Sequence, residues 1–131
     1  MKIVLDTNAY IDFAEGKSDV VDLIATQSTE ILLPVIVIGA LIYGFMKGNR
    51  TENNEERLHN FIATLDVSVL EINAEVARKY GIIFLSLIKK GSPIPINDVW
   101  IAACCMSAGG TLVTRDKHFT QVDQIDKIIL P

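Results

Sequence analysis

Cysteine is nearly missing from this chain of 131 residues: only Cys104 and Cys105 occur, side by side in an apolar stretch. Adjacent residues cannot easily reach disulfide geometry, and no zinc-ligand spacing is available, so both read as core residues of a cytosolic protein. A basic excess is also lacking. Twelve lysines and arginines against sixteen acids leave a formal charge of −4, with a pI near 5.1. That balance excludes a surface that coats nucleic acid through its overall charge, and leaves only a local basic patch for such a role. A secretory leader is not expected, because Asp6 stands where the apolar part of such a signal would run. The uncharged segment "ILLPVIVIGALIYGFM" is shorter than the roughly 20 residues of a spanning helix, and Pro34 interrupts it. A buried strand followed by a buried helix is expected there, in a cytoplasmic protein with no membrane partner.

What is present is apolar content. Half of the residues are hydrophobic, enough for one compact core, and no linker, repeat or low-complexity tract divides residues 1–131. Strand-like and helix-like runs alternate, the pattern of an α/β domain whose central, mostly parallel sheet of four or five strands is flanked by helices. Strands are expected at about 2–5, 31–33, 67–70, 111–113 and 127–129, and helices at about 19–25, 35–47, 51–63, 73–90 and 98–108. Asn97 looks like the cap of the last helix, with Ile96 and Ile101 spaced as a hydrophobic staple. The second half of the 73–90 helix, "GIIFLSLI", is apolar nearly all round, which calls either for full burial or for a second subunit. Trp100, the sole tryptophan, reads as core.

Three aspartates then stand out. Ligands of a parallel sheet bind beyond the carboxyl ends of its strands. Asp6 follows the first strand directly, and Asp116 follows "TLVT" by two residues. Gly109 and Gly110 join the end of the last helix to the start of that strand, so the helix start, with Asp98, must reach the same rim. Two like charges about 4 Å apart repel by roughly 4 kcal/mol at an effective dielectric near 20. Carboxylates without a histidine or thiolate among them suit a hard ion, Mg2+ or Mn2+, better than zinc. Taken singly, each acid has a plain reading as a turn residue, a helix first-turn acid or an ion-pair partner of Arg115 or Lys117. Asn8 is a candidate cap for a helix after the first strand and a candidate partner of the site, and Thr114 can orient a carboxylate or water through its hydroxyl. Lys47, Arg50, Arg115, Lys117 and His118 gather positive charge near the same rim, either to position phosphates or as ordinary solvated groups.

"IVLDTNAYIDF", "LPVIVIGALIYGF" and "PINDVWIAACCMSAGGTLVTRDKHF" together resemble the signature blocks of PIN-domain proteins, most closely the small bacterial VapC-type toxins, over essentially the whole chain. The resemblance implies a metal-dependent endoribonuclease in which Asp6, Asp98 and Asp116 hold Mg2+ or Mn2+ and Asn8 and Thr114 support them. It also implies an RNA substrate, a homodimer and a cognate antitoxin that covers the groove. One position departs from the pattern. The family's glutamate four residues before the glycine of "YG" falls on Ala40. An engineered substitution that disables the enzyme, a natural variant working with three acids, and a natural member that binds without cutting all remain open. Two other classes also place an acid after the first strand: phosphotransferases of the haloacid-dehalogenase type and receiver domains. The first wants a second aspartate where Asn8 stands, and the second wants a phosphoacceptor after the third strand, where "LEINAE" stands.

Overall fold

Ile3, Val4 and Leu5 have no solvent exposure, which makes the first strand the middle of a sheet and not its edge. In the computed structural model, which describes residues 1–131, five parallel strands run in the order β3-β2-β1-β4-β5. They are β1 (Lys2–Leu5), β2 (Glu30–Pro34), β3 (Ser68–Leu70), β4 (Thr111–Thr114) and β5 (Asp126–Ile129). Six helices flank them: α1 (Thr7–Ala14), α2 (Ser18–Gln27), α3 (Val35–Lys47), α4 (Thr51–Thr64), α5 (Ala74–Lys90) and α6 (Ile96–Ala108). A short 3₁₀ turn, Lys117–Gln121, leads towards β5. The unbroken apolar runs of β1, β2 and β4 fit strands covered on both faces. No helix is long and apolar enough to cross a membrane.

The order of the strands fixes where a ligand can sit. From β1 the chain builds through β2 to β3, then crosses to the other side of β1 to add β4 and β5. The reversal lies between β1 and β4, and the crevice of such a sheet opens at the carboxyl ends of the strands flanking that reversal. Asp6 and the pair Arg115 and Asp116 are the first residues beyond those two ends.

Two helix starts differ from the sequence expectation. Asp6, and not Asn8, caps α1: its Oδ1 accepts the Ala9 amide at 2.9 Å, while Asn8 is an exposed second residue of the helix. At α6 the cap is Pro95, and Asn97 lies inside the first turn. Proline at φ −54° already has a helix-compatible backbone, and its carbonyl accepts the amides of Asp98 and Val99 at 3.0 and 3.2 Å. Ile96 is 49 % exposed and staples nothing to the buried Ile101.

The apolar helix α5 is not internal. Ile83 and Leu87 are buried, but Ile82, Leu85 and Ile88 are 40, 54 and 53 % exposed on one face. Its inner side packs on α6, where Trp100 stacks on Tyr80 with ring centroids 4.1 Å apart. Cys104 and Cys105 are buried, and burial pushes their thiols up to about 11 and about 12, which leaves them protonated and unreactive.

The turn from α6 into β4 depends on glycine twice. Gly109 takes the left-handed conformation at φ 69°. Gly110 lies so close to β1 that a Cβ there would stand 2.7 Å from Val4 Cγ2. Gly110→Ala should therefore destabilise the domain by about 2 kcal/mol through overpacking against a strand that cannot move, measured as a lower urea midpoint with an unchanged slope.

Candidate metal centre

Asp6 is only 4 % exposed, and both of its oxygens are engaged. Oδ1 takes the Ala9 amide at the start of α1, where the helix dipole favours a negative charge. Oδ2 accepts the hydroxyl of Thr114, a fully buried residue at the end of β4. Thr114 Oγ1 in turn accepts the Asp116 amide at 2.9 Å. One hydroxyl thus ties the ends of the two strands that flank the sheet's reversal. Burial pushes the Asp6 carboxyl above the ordinary carboxylate range, the bonds from Thr114 and Ala9 hold it down, and the charges of Asp98 and Asp116 raise it further.

Asp98 arrives in the first turn of α6. Burial raises its carboxyl as well, the neighbouring Asp116 adds to that, and His118 opposes it. His118 Nδ1 stands 3.1 Å from Asp116 Oδ1 and 3.5 Å from Asp98 Oδ2. The ligating atoms of Asp98, Asp116 and His118 all lie within 4.8 Å of one another. Asp6 shares the field of both aspartates but is not a member of that tight trio. Asn8 bonds no site carboxylate.

Arg115 was a candidate for phosphate binding, and the fold spends it elsewhere. Side chains of an extended segment alternate in direction; Thr114 turns towards Asp6, and Arg115 turns to the opposite side. There its guanidinium pairs with the buried Asp12 of α1 and with Asp19 of α2 at 2.9 Å, and it also donates to the Pro131 carbonyl. Lys17 adds a second cation to Asp12 at 3.3 Å. Lys47 lies over the exposed Tyr43 ring, 4.9 Å from its centroid. Half-exposed His118 is therefore the basic side chain in contact with the site acids.

Ala40, half-buried on α3, lines a groove of about 410 Å³ between α1, α3 and α4, with Thr7, Tyr10, Ile11, Phe45 and Arg57 among its other walls. Thr7 immediately follows Asp6, so the groove begins beside the acidic site.

Compared with known proteins, the chain matches the PIN domain over residues 3–125. This chain belongs to the PIN domain family. It is 29 % identical to Ribonuclease VapC2 of Rickettsia felis, over 95 % of each chain. It is 27 % identical to Ribonuclease VapC5 of Mycobacterium tuberculosis, over 92 % of this chain and 87 % of that one. Among solved structures, VapBC2 of Rickettsia felis bound to a promoter DNA fragment superposes with a TM-score of 0.84 at 26 % identity, covering all of both chains. VapBC of Salmonella typhimurium gives 0.85 at 26 % identity over 98 % of each.

The donors of this PIN domain fit a divalent cation. Three carboxylates from three parts of the chain meet at one edge, two of them held above their ordinary range by burial and mutual repulsion, while the nearest arginine is paired away from them. The spacing within the trio is one that an ion with ligands about 2.1 Å away bridges with small side-chain rotations.

Repulsion without an ion has a sign that can be measured. A carboxyl whose folded value is raised destabilises the fold once pH exceeds its unfolded value of 3.8, and increasingly up to the folded value. In EDTA at pH 7, Asp98→Asn should raise the melting temperature by roughly 3 °C, the size of about 1 kcal/mol in a domain of this length. The gain should vanish below about pH 3.8, where both forms are uncharged. Calorimetric melts across pH check it.

Proposed function

We propose that this PIN domain is a divalent-metal-dependent endoribonuclease of the toxin type, cytoplasmic, restrained by a cognate antitoxin, and impaired in cleavage by Ala40. The observation that carries the reading is the convergence of Asp6, Asp98 and Asp116 on the carboxyl edge beside the sheet's reversal. Relatives named as VapC ribonucleases support it. So does a tRNA(fMet)-specific endonuclease VapC of Salmonella typhimurium, 29 % identical over 95 % of each chain.

Each residue has a definite task in this reading. Asp98 and Asp116, with Asp6 beside them, hold Mg2+ or Mn2+. When bound, the ion supplies a Lewis acid that polarises the phosphodiester and acidifies an attacking water. Thr114 fixes the separation of Asp6 from Asp116 by donating to one and accepting from the backbone of the other. Asn8, exposed two residues beyond Asp6, takes the substrate side in this reading, since it bonds no site carboxylate. No side chain needs to act as nucleophile, which fits a site whose serines and cysteines lie elsewhere.

Ala40 weakens the ion's hold, because a methyl group stands where the family pattern has a carboxylate. Ala40→Glu should raise Mg2+-dependent cleavage of total RNA by at least about 10²-fold, with EDTA abolishing it in both forms. If neither form cleaves while both bind the antitoxin, the chain is a binding module, a reading that the missing acid itself favours. The groove beside Ala40, apolar along Tyr10, Ile11 and Phe45 and flanked by Arg57, suits the antitoxin segment. The VapBC structures of Rickettsia felis and Salmonella typhimurium, each at 26 % identity, support an antitoxin partner.

A second copy of the chain is the expected cover for the exposed apolar face of α5. Leu85→Glu should convert a dimer of about twice 14.4 kDa into a monomer in sedimentation equilibrium. A mass that does not change would place the contact elsewhere.

A further inference from the structure

We propose that His118 supplies a nitrogen ligand beside Asp98 and Asp116, so that this site takes a first-row transition ion of the Mn2+ class in preference to Mg2+. The inference rests on the metal-dependent reading above and sharpens it: it names which ion the donors prefer and which side chain sets the preference.

The trio is not simply a set of acids. One of its three converging donors is an imidazole, and Nδ1 faces inward, within 3.5 Å of both carboxylates. Of the two histidines in the chain, His59 is exposed on α4; only His118 touches the site acids. Its position is imposed by the backbone. Asp116 Oδ1 accepts the His118 amide at 2.9 Å, and the next residue, Phe119, is fully buried. Its own amide bonds the Asp116 carbonyl at 3.3 Å. The turn is thus pinned on both sides of His118, with the aspartate and the imidazole on the same side.

A neutral nitrogen donor adds a ligand without adding charge, and that difference separates one ion from another. Mg2+ prefers oxygen and gives up its waters reluctantly, whereas imidazole suits the later first-row ions and their affinity rises along the Irving–Williams order. Two carboxylates and one imidazole should therefore favour Mn2+, and more strongly Co2+ or Ni2+, over Mg2+.

The rival use of the same contacts is a protonated His118 acting only as a counter-charge to the two aspartates. Electron spin echo envelope modulation of the full-length chain loaded with Mn2+ separates the two, because only a bound imidazole gives modulation from directly coordinated nitrogen. Expected is nitrogen modulation in the parent chain that is absent in His118→Ala and in His118→Lys, the latter keeping a positive charge. Calorimetric titration should show Mn2+ affinity falling at least about tenfold in both variants, while Mg2+ affinity changes less than about threefold. Half-exposed His118 is replaceable without harm to the core, and far-UV circular dichroism checks that. If Mn2+ binds the parent and is lost in Asp98→Asn, but nitrogen modulation is missing or both affinities fall together in His118→Ala, this inference is overturned and the nuclease reading stands. If the parent binds neither ion at millimolar concentration, the metal-dependent reading itself fails, and the role of His118 with it.

Discussion

A buried carboxylate at the end of a central strand is tolerable only when both oxygens are satisfied, and the hydrogen bond from Thr114 to Asp6 is what completes that condition here. It joins the ends of β1 and β4, the two strands between which the sheet reverses its order. The same hydroxyl receives the Asp116 amide, so the spacing between the first and the last acid of the site is set by one buried threonine. Asp98 is delivered separately, by a helix whose start is fixed by Pro95 and whose end is fixed by a two-glycine turn against β1. The site is a consequence of sheet order, and its rigidity is that of the core behind it.

Charge is kept apart with equal care. Arg115 lies between two site residues in sequence, and would neutralise the acids if it turned towards them. Strand alternation sends it the other way, where Asp12 and Asp19 hold it and where it also reaches the Pro131 carbonyl. The acidic edge therefore keeps its repulsion, the physical condition for holding a divalent ion. His118 Nδ1 contacts two of the three acids, Asp98 and Asp116.

The α/β alternation and the strand positions were legible because buried parallel strands are short apolar runs with polar ends, and β1, β2 and β4 follow that rule. The meeting of Asp98 with Asp116 was legible too, since a two-glycine turn leaves little freedom in how helix and strand return past each other. Two caps were misread. Asn8 and Asn97 have the right side chains, but Asp6 and Pro95 stand earlier, and a helix starts at the first residue able to start it. His118 passed for one more basic neighbour, although its spacing of two from Asp116 was a usable signal: an aspartate that accepts the amide two residues on brings that residue's side chain round to its own side. Arg115 was misread for the opposite reason, because its partners lie about a hundred residues away in α1 and α2 and no local pattern announces them.

The sequence by itself determined the elements, the single core, and the chemical nature of the candidate site, because apolar periodicity and residue type are local properties. Only the tertiary structure decided which charges remain uncompensated. Whether an arginine neutralises the aspartate beside it or two acids from distant helices depends on which way a strand presents it and on what packs there, and neither is written at any one position in the chain.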